Sequence, residues 1–126
     1  MIKNVIASVP ARIWEENRPP RLKVWEVELN VASWIRVSGA SGDLALVLVY
    51  EDEAGEHTSM VDRTAVDGDG SALMSGLVRT RITGDVARMH VVLQLSDEGM
   101  RFNVDELFVQ RRGSAVQKEH KLISNY

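Results

Sequence analysis

The sequence predicts an all-β chain folded as a two-sheet antiparallel β-sandwich, and three observations carry that expectation. Apolar and polar residues alternate at period two along several stretches, as strands with one buried face require. Turns rich in Gly, Asp and Ser separate those stretches. The residues that alternate are largely β-branched or aromatic, the types that suit a pleated, half-buried surface.

The clearest stretch is residues 24–37, VWEVELNVASWIRV. Trp25, Val27, Leu29, Val31, Ile35 and Val37 hold the odd positions, interrupted only by Ser33, while Glu26, Glu28, Asn30, Trp34 and Arg36 hold even ones. A helix would scatter these apolar residues around its circumference. Residues 44–50, LALVLVY, are apolar at every position but bounded by turn residues, which describes a central strand. Gly55 then supplies the positive φ of a hairpin, and residues 57–66 return. Asp67-Gly68-Asp69-Gly70-Ser71 forms a second turn before a strand over 72–82.

Residues 86–95 alternate again. Ala87, Met89, Val91, Leu93 and Leu95 take one face; Arg88, His90, Val92 and Gln94 take the other. Residues 102–110, FNVDELFVQ, make a last strand whose phase shifts near Asp105, the mark of a bulge. Leu29, Val31, Val47, Val91 and Leu93 are the expected core. Pro10, Pro19 and Pro20 exclude a regular helix or central strand across residues 10–21, so residues 1–21 read as an irregular segment with Ile13 and Trp14 packed onto the sandwich. Residues 113–126 read as a loose tail or late strand. The whole of 1–126 is expected to be one domain, a length that buries enough surface to fold without metal or disulfide.

Composition narrows the chemistry. There is no cysteine, which removes disulfides, zinc thiolates and thiol nucleophiles together. The net charge of −3, from 15 basic and 18 acidic residues, gives no basic face for a phosphate backbone, so no nucleic-acid partner is expected. Arg111, Arg112, Lys118, His120 and Lys121 form a basic stretch that reads as a solvated tail. No run approaches the ~20 apolar residues of a membrane helix, and no signal peptide is visible, which makes the cytoplasm the default unless the chain is excised from a larger secreted protein or virion.

No catalytic constellation emerges. His57, His90 and His120 lack a G-x-S-x-G elbow to serve. Asp105 and Glu106 are neighbours in a strand, where side chains alternate between faces, so they are not expected to flank one glycosidic bond. Asp67 and Asp69 begin like a calcium loop, but the twelfth position from Asp67 is Val78 where an EF-hand needs glutamate.

Taken together, the Trp34-Ile35-Arg36-Val37 strand, the strand ending at Tyr50, the acidic hairpin around Gly55, the Asp67–Ser71 turn and the closing Phe102-Asn103-Val104-Asp105-Glu106-Leu107 strand are familiar. Over about residues 24–112 the order resembles the jelly-roll carbohydrate-binding modules, a galactose-binding-domain-like sandwich found beside glycoside hydrolases. The resemblance implies a jelly roll, a non-catalytic role, a glycan ligand and a structural calcium, for which Asp67 and Asp69 are the candidate ligands. If the two alternating strands share a sheet, Trp34, Arg36, Arg88, His90 and Gln94 compose one polar face with an aromatic platform for a sugar ring. Alternatively, residues 10–20 cover Trp34 and it extends the core. A structural or assembly protein, a virion component or a homo-oligomer, is the other reading of a small sandwich with this composition.

Overall fold

A computed structural model describes residues 2–15, 18–112 and the backbone of 119–121. It contains eight strands and one short helix: β1 (Ile2–Ser8), α1 (Ala11–Glu15), β2 (Val24–Gly39), β3 (Gly42–Asp52), β4 (Gly55–Val66), β5 (Gly70–Thr83), β6 (Arg88–Leu95), β7 (Met100–Arg112) and β8 (Glu119–Lys121). They form two antiparallel sheets, in the orders β1-β6-β3-β4 and β5-β2-β7-β8. The chain is an all-β sandwich.

Period two does the sorting. In β2 every odd residue from Trp25 to Val37 is buried, Ser33 included, and the Ser33 hydroxyl donates to the Glu106 carbonyl at 2.8 Å. That bond replaces the water its hydroxyl loses, so a polar residue sits in the core without an orphaned group. From the other sheet Leu44, Leu46, Leu48, Met89, Val91 and Leu93 meet Leu29, Val31, Ile35, Leu107 and Val109 in one cluster. Burying each such aliphatic side chain contributes roughly 1.5–3 kcal/mol. The expected bulge is present: Trp34 pairs with Glu106 and Ile35 with Val104, which leaves Asp105 as the extra residue.

Three expectations need correction. The N-terminal segment is not irregular throughout. β1 pairs with β6, and its own bulge between Val5 and Ala7 turns both Ile6 and Ala7 inward, which erases the alternation that marks a strand. Residues 11–15 form a one-turn helix that begins just after Pro10, whose carbonyl accepts the Ile13 N–H at 3.0 Å, and ends before Pro19 and Pro20. Ile13 and Trp14 do pack into the core. Val47, though only 2% exposed, lies outside the inter-sheet core; it alternates with Leu46 and Leu48 and stands opposite Val92 and Met60 on the outer face of its sheet. The tail reading of 113–126 falls outside the described residues apart from the backbone of β8.

One edge of the sandwich is stitched shut. β4 and β5 end their respective sheets on the same side, and the Asp62 carboxylate accepts the Ser75 N–H at 3.0 Å. Beside that bond Gly76 lies against the Val61 carbonyl so closely that a Cβ there would overlap the oxygen. Only glycine permits that approach.

A second knot holds the hairpin end. The Asp52 side chain is wholly buried and accepts hydrogen bonds from Ala54 N–H, Thr83 N–H and His57 Nε2, each at 2.9 Å. His57 stacks on Tyr50, whose hydroxyl donates to the Arg81 carbonyl. Loss of water around Asp52 opposes its ionisation, yet the bonds from Thr83, His57 and Ala54 outweigh that and hold the carboxyl below its ordinary value. The knot ties β3 and β4 to the end of β5.

Candidate functional site

The even residues of β2 open onto the outer face of the sheet β5-β2-β7. Pair registers lay this face out in rows. Ser71, Arg36 and Asn103 form the first row; Leu73, Trp34 and Glu106 the second; Ser75, Ala32 and Phe108 the third. Leu77, Asn30 and Gln110 follow, then Arg79, Glu28 and Arg112. Trp34 is 44% exposed, Leu73 52% and Leu77 41%. Trp34 is therefore not buried beneath the described residues of the 10–20 segment. Of the seven large apolar side chains exposed among the described residues, three gather on this face, with Phe108 half-buried next to them. Isolated exposed apolar residues are ordinary, but a contiguous group is a binding feature.

A charged end borders the apolar rows on each side. Arg36 Nε donates to both carboxylate oxygens of Asp105, at 2.9 and 2.8 Å, and that bond followed by the neighbouring charge raises the guanidinium pKa further. At the opposite end Arg79 Nε lies 3.2 Å from Glu28 Oε1. Beyond Trp34 the surface dips into an open depression of about 470 Å³ lined by Arg36, Val37, Ser38, Gly70, Ser71 and Asn103.

The bulge has a chemical consequence that alternation misses. Asp105 is the inserted residue, so it faces outward with Glu106 instead of opposite to it. Two neighbouring carboxylates thus share one face. Asp105 accepts from Arg36 through both oxygens, a charge-assisted contact.

The five residues expected on one polar face do not come together. Trp34 and Arg36 lie on β2; Arg88, His90 and Gln94 lie on β6, which belongs to the other sheet and faces the opposite side of the sandwich. There Arg88 pairs with Glu51 at 2.9 Å, and His90 Nδ1 lies 3.2 Å from the Ser8 hydroxyl. A nucleophilic triad would add a carboxylate on the other ring nitrogen to orient the imidazole, and none is bonded there among the described residues. Gln94 is half-buried between Lys3 and Ala45.

Asp67 and Asp69 are exposed in the turn between β4 and β5. Among the described residues no group of three or more His, Asp or Glu is placed to hold a metal ion, so this pair gains no third such ligand. No helix among them is long and apolar enough to cross a membrane.

Leu73, Leu77 and Phe108 escaped sequence reasoning. Leu73 and Leu77 lie in a strand whose alternation is weak, and the bulge at Asp105 inverts the faces that follow it, Phe108 among them. No family model, curated protein or solved structure matches the chain.

Proposed function

We propose that this chain is a non-catalytic assembly protein that docks onto a protein surface through the outer face of β5-β2-β7. The observation that carries this reading is the composition of the rows around Trp34. An aromatic, two exposed leucines and a half-buried phenylalanine share the central rows with Glu106, Asn30 and Gln110, and charged residues rim them at both ends. Protein interfaces are built this way, with an aromatic-rich core and a polar rim. Sugars present hydroxyls, which leucine side chains cannot satisfy.

The opposite sheet makes a poorer candidate. Its outer face does carry an apolar row, Val5, Val92, Val47 and Met60, running across all four strands. Val47 and Val92 in the middle of that row are already buried by their neighbours, so its exposed apolar residues, Val5 and Met60, stand apart on the two edge strands.

A second reading, carbohydrate binding in a jelly-roll module, draws on a separate feature. The open depression beside Trp34 places Arg36, Ser71 and Asn103 next to an exposed indole, and an aromatic platform with planar hydrogen-bonding groups suits a sugar ring.

Light scattering over a concentration series, run beside a glycan array, separates the two. The assembly reading expects a particle mass above the 14.1 kDa of one chain, falling to one chain in Leu73→Ser/Leu77→Ser. A mass of one chain at every concentration, together with glycan binding that Trp34→Ala abolishes, establishes the second reading instead.

A further inference from the structure

We infer that the occupant of this face is a second copy of the chain, packed about a two-fold axis that passes through Ala32 and runs across the strands. The inference rests on reading the face as an assembly surface and adds the partner and its register. A two-fold interface must be complementary to itself, each residue meeting the one its symmetry mate presents. The rows of β5-β2-β7 meet that requirement in one orientation.

Rotation about an axis along the third row keeps each strand over its own copy and exchanges rows equidistant from Ala32. The second row then covers the fourth. Leu73 meets Leu77 of the second copy, Trp34 meets Asn30, and Glu106 meets Gln110. Ala32, Ser75 and Phe108 each meet themselves, which sets small residues and one aromatic pair at the centre. The first row covers the fifth. Arg36 meets Glu28 of the second copy, and Asn103 beside it meets Arg112. With strands rising about 3.3 Å per residue, both charged ends lie about 13 Å from Ala32, at the same distance on either side.

The alternative axis, along β2, fails on the same residues. It keeps rows and exchanges β5 with β7. Leu73 would then face Glu106, and Arg79 would face Arg112. The first buries a carboxylate against leucine, and the second opposes like charges. The opposite charges of Arg36 and Glu28, equidistant from Ala32 on β2, therefore favour the first arrangement, since the axis along β2 would set each against itself. Aligned sheets pack about 10 Å apart, a gap that these long charged side chains span.

A three-strand footprint is small for an interface, so the dimer belongs to the weaker class, with dissociation on the order of micromolar or above. The test exploits the symmetry. Arg36→Glu alone sets a carboxylate against Glu28 of the second copy, and Glu28→Arg alone sets a second guanidinium against Arg36. Mixed together, the two variants regain opposite charges at both contacts. Sedimentation velocity should show wild-type dimers, at least about tenfold weaker self-association of each single variant, and dimers restored in the mixture. Far-UV circular dichroism and thermal melts check that both variants fold, Arg36 being exposed and Glu28 half-buried on the outer face.

Dimers that vanish in Leu73→Ser/Leu77→Ser but ignore both charge reversals, alone and mixed, overturn the two-fold arrangement and leave the assembly face standing. A mass of one chain for the wild type at every concentration overturns the dimer. A larger mass that neither kind of substitution alters overturns the dimer and the assembly face together.

Discussion

Trp34 is the residue on which the functional account turns, and its exposure makes a sharp energetic prediction. Truncating a buried aromatic costs roughly 3–5 kcal/mol, because apolar area is lost and a cavity opens. Trp34 is 44% exposed on an outer face, so Trp34→Ala should cost no more than about 1 kcal/mol. Leu93 is the internal control. It is fully buried between the sheets, and Leu93→Ala should cost about 2–5 kcal/mol. Chemical denaturation of the two variants beside the wild type checks both, and similar losses would contradict the assignment of faces. At this scale the sequence was informative about burial. Alternation alone places Leu29, Val31, Val91 and Leu93 inside and Trp34 and Arg36 outside. It misplaces Val47, because β3 is apolar on both faces and period two then has nothing to contrast.

Among the elements, the Asp52 knot ties the β3–β4 hairpin to the end of β5 and gives the fold a pH dependence of known sign. The folded carboxyl lies below its ordinary value, since the bonds from Thr83, His57 and Ala54 outweigh the cost of burial. Its stabilising contribution is therefore complete above the unfolded value near 3.9 and is lost as pH falls through the lower folded value. Asp52→Asn should cost about 1–3 kcal/mol at neutral pH, because an amide satisfies the three donors less well. The gap between variant and wild type should narrow as the solution is acidified below about pH 4. Urea titrations at several pH values check this; a gap that widens in acid would contradict the assignment. Nothing in the sequence marks Asp52, which sits in an acidic hairpin that reads as solvated. Its donors come from residues 54, 57 and 83, and the last is brought in only by the docking of β5.

For the whole molecule, the architecture was legible but the assignment of strands to sheets was not. Period two tells inside from outside, and a sandwich has two outsides. Trp34 and His90 both alternate away from the core, yet β2 and β6 belong to different sheets, so the residues on them diverge. Pairing partners are fixed by long-range packing and turn geometry, which a local pattern does not contain. The bulge at Asp105 was readable as a shift of phase. Its effect, bringing Asp105, Glu106 and Phe108 to the face that holds Trp34, depends on knowing that β7 lies beside β2. The central claim is that the outer face of β5-β2-β7 is where this protein meets another chain. Amide NMR spectra recorded over a dilution series test it most directly, because every strand reports separately. Concentration-dependent shifts should be confined to the outward residues of β5, β2 and β7, centred on Ala32, Trp34, Leu73 and Leu77. Shifts that map instead to β1, β6, β3 and β4, or spectra unchanged across the series, would contradict it.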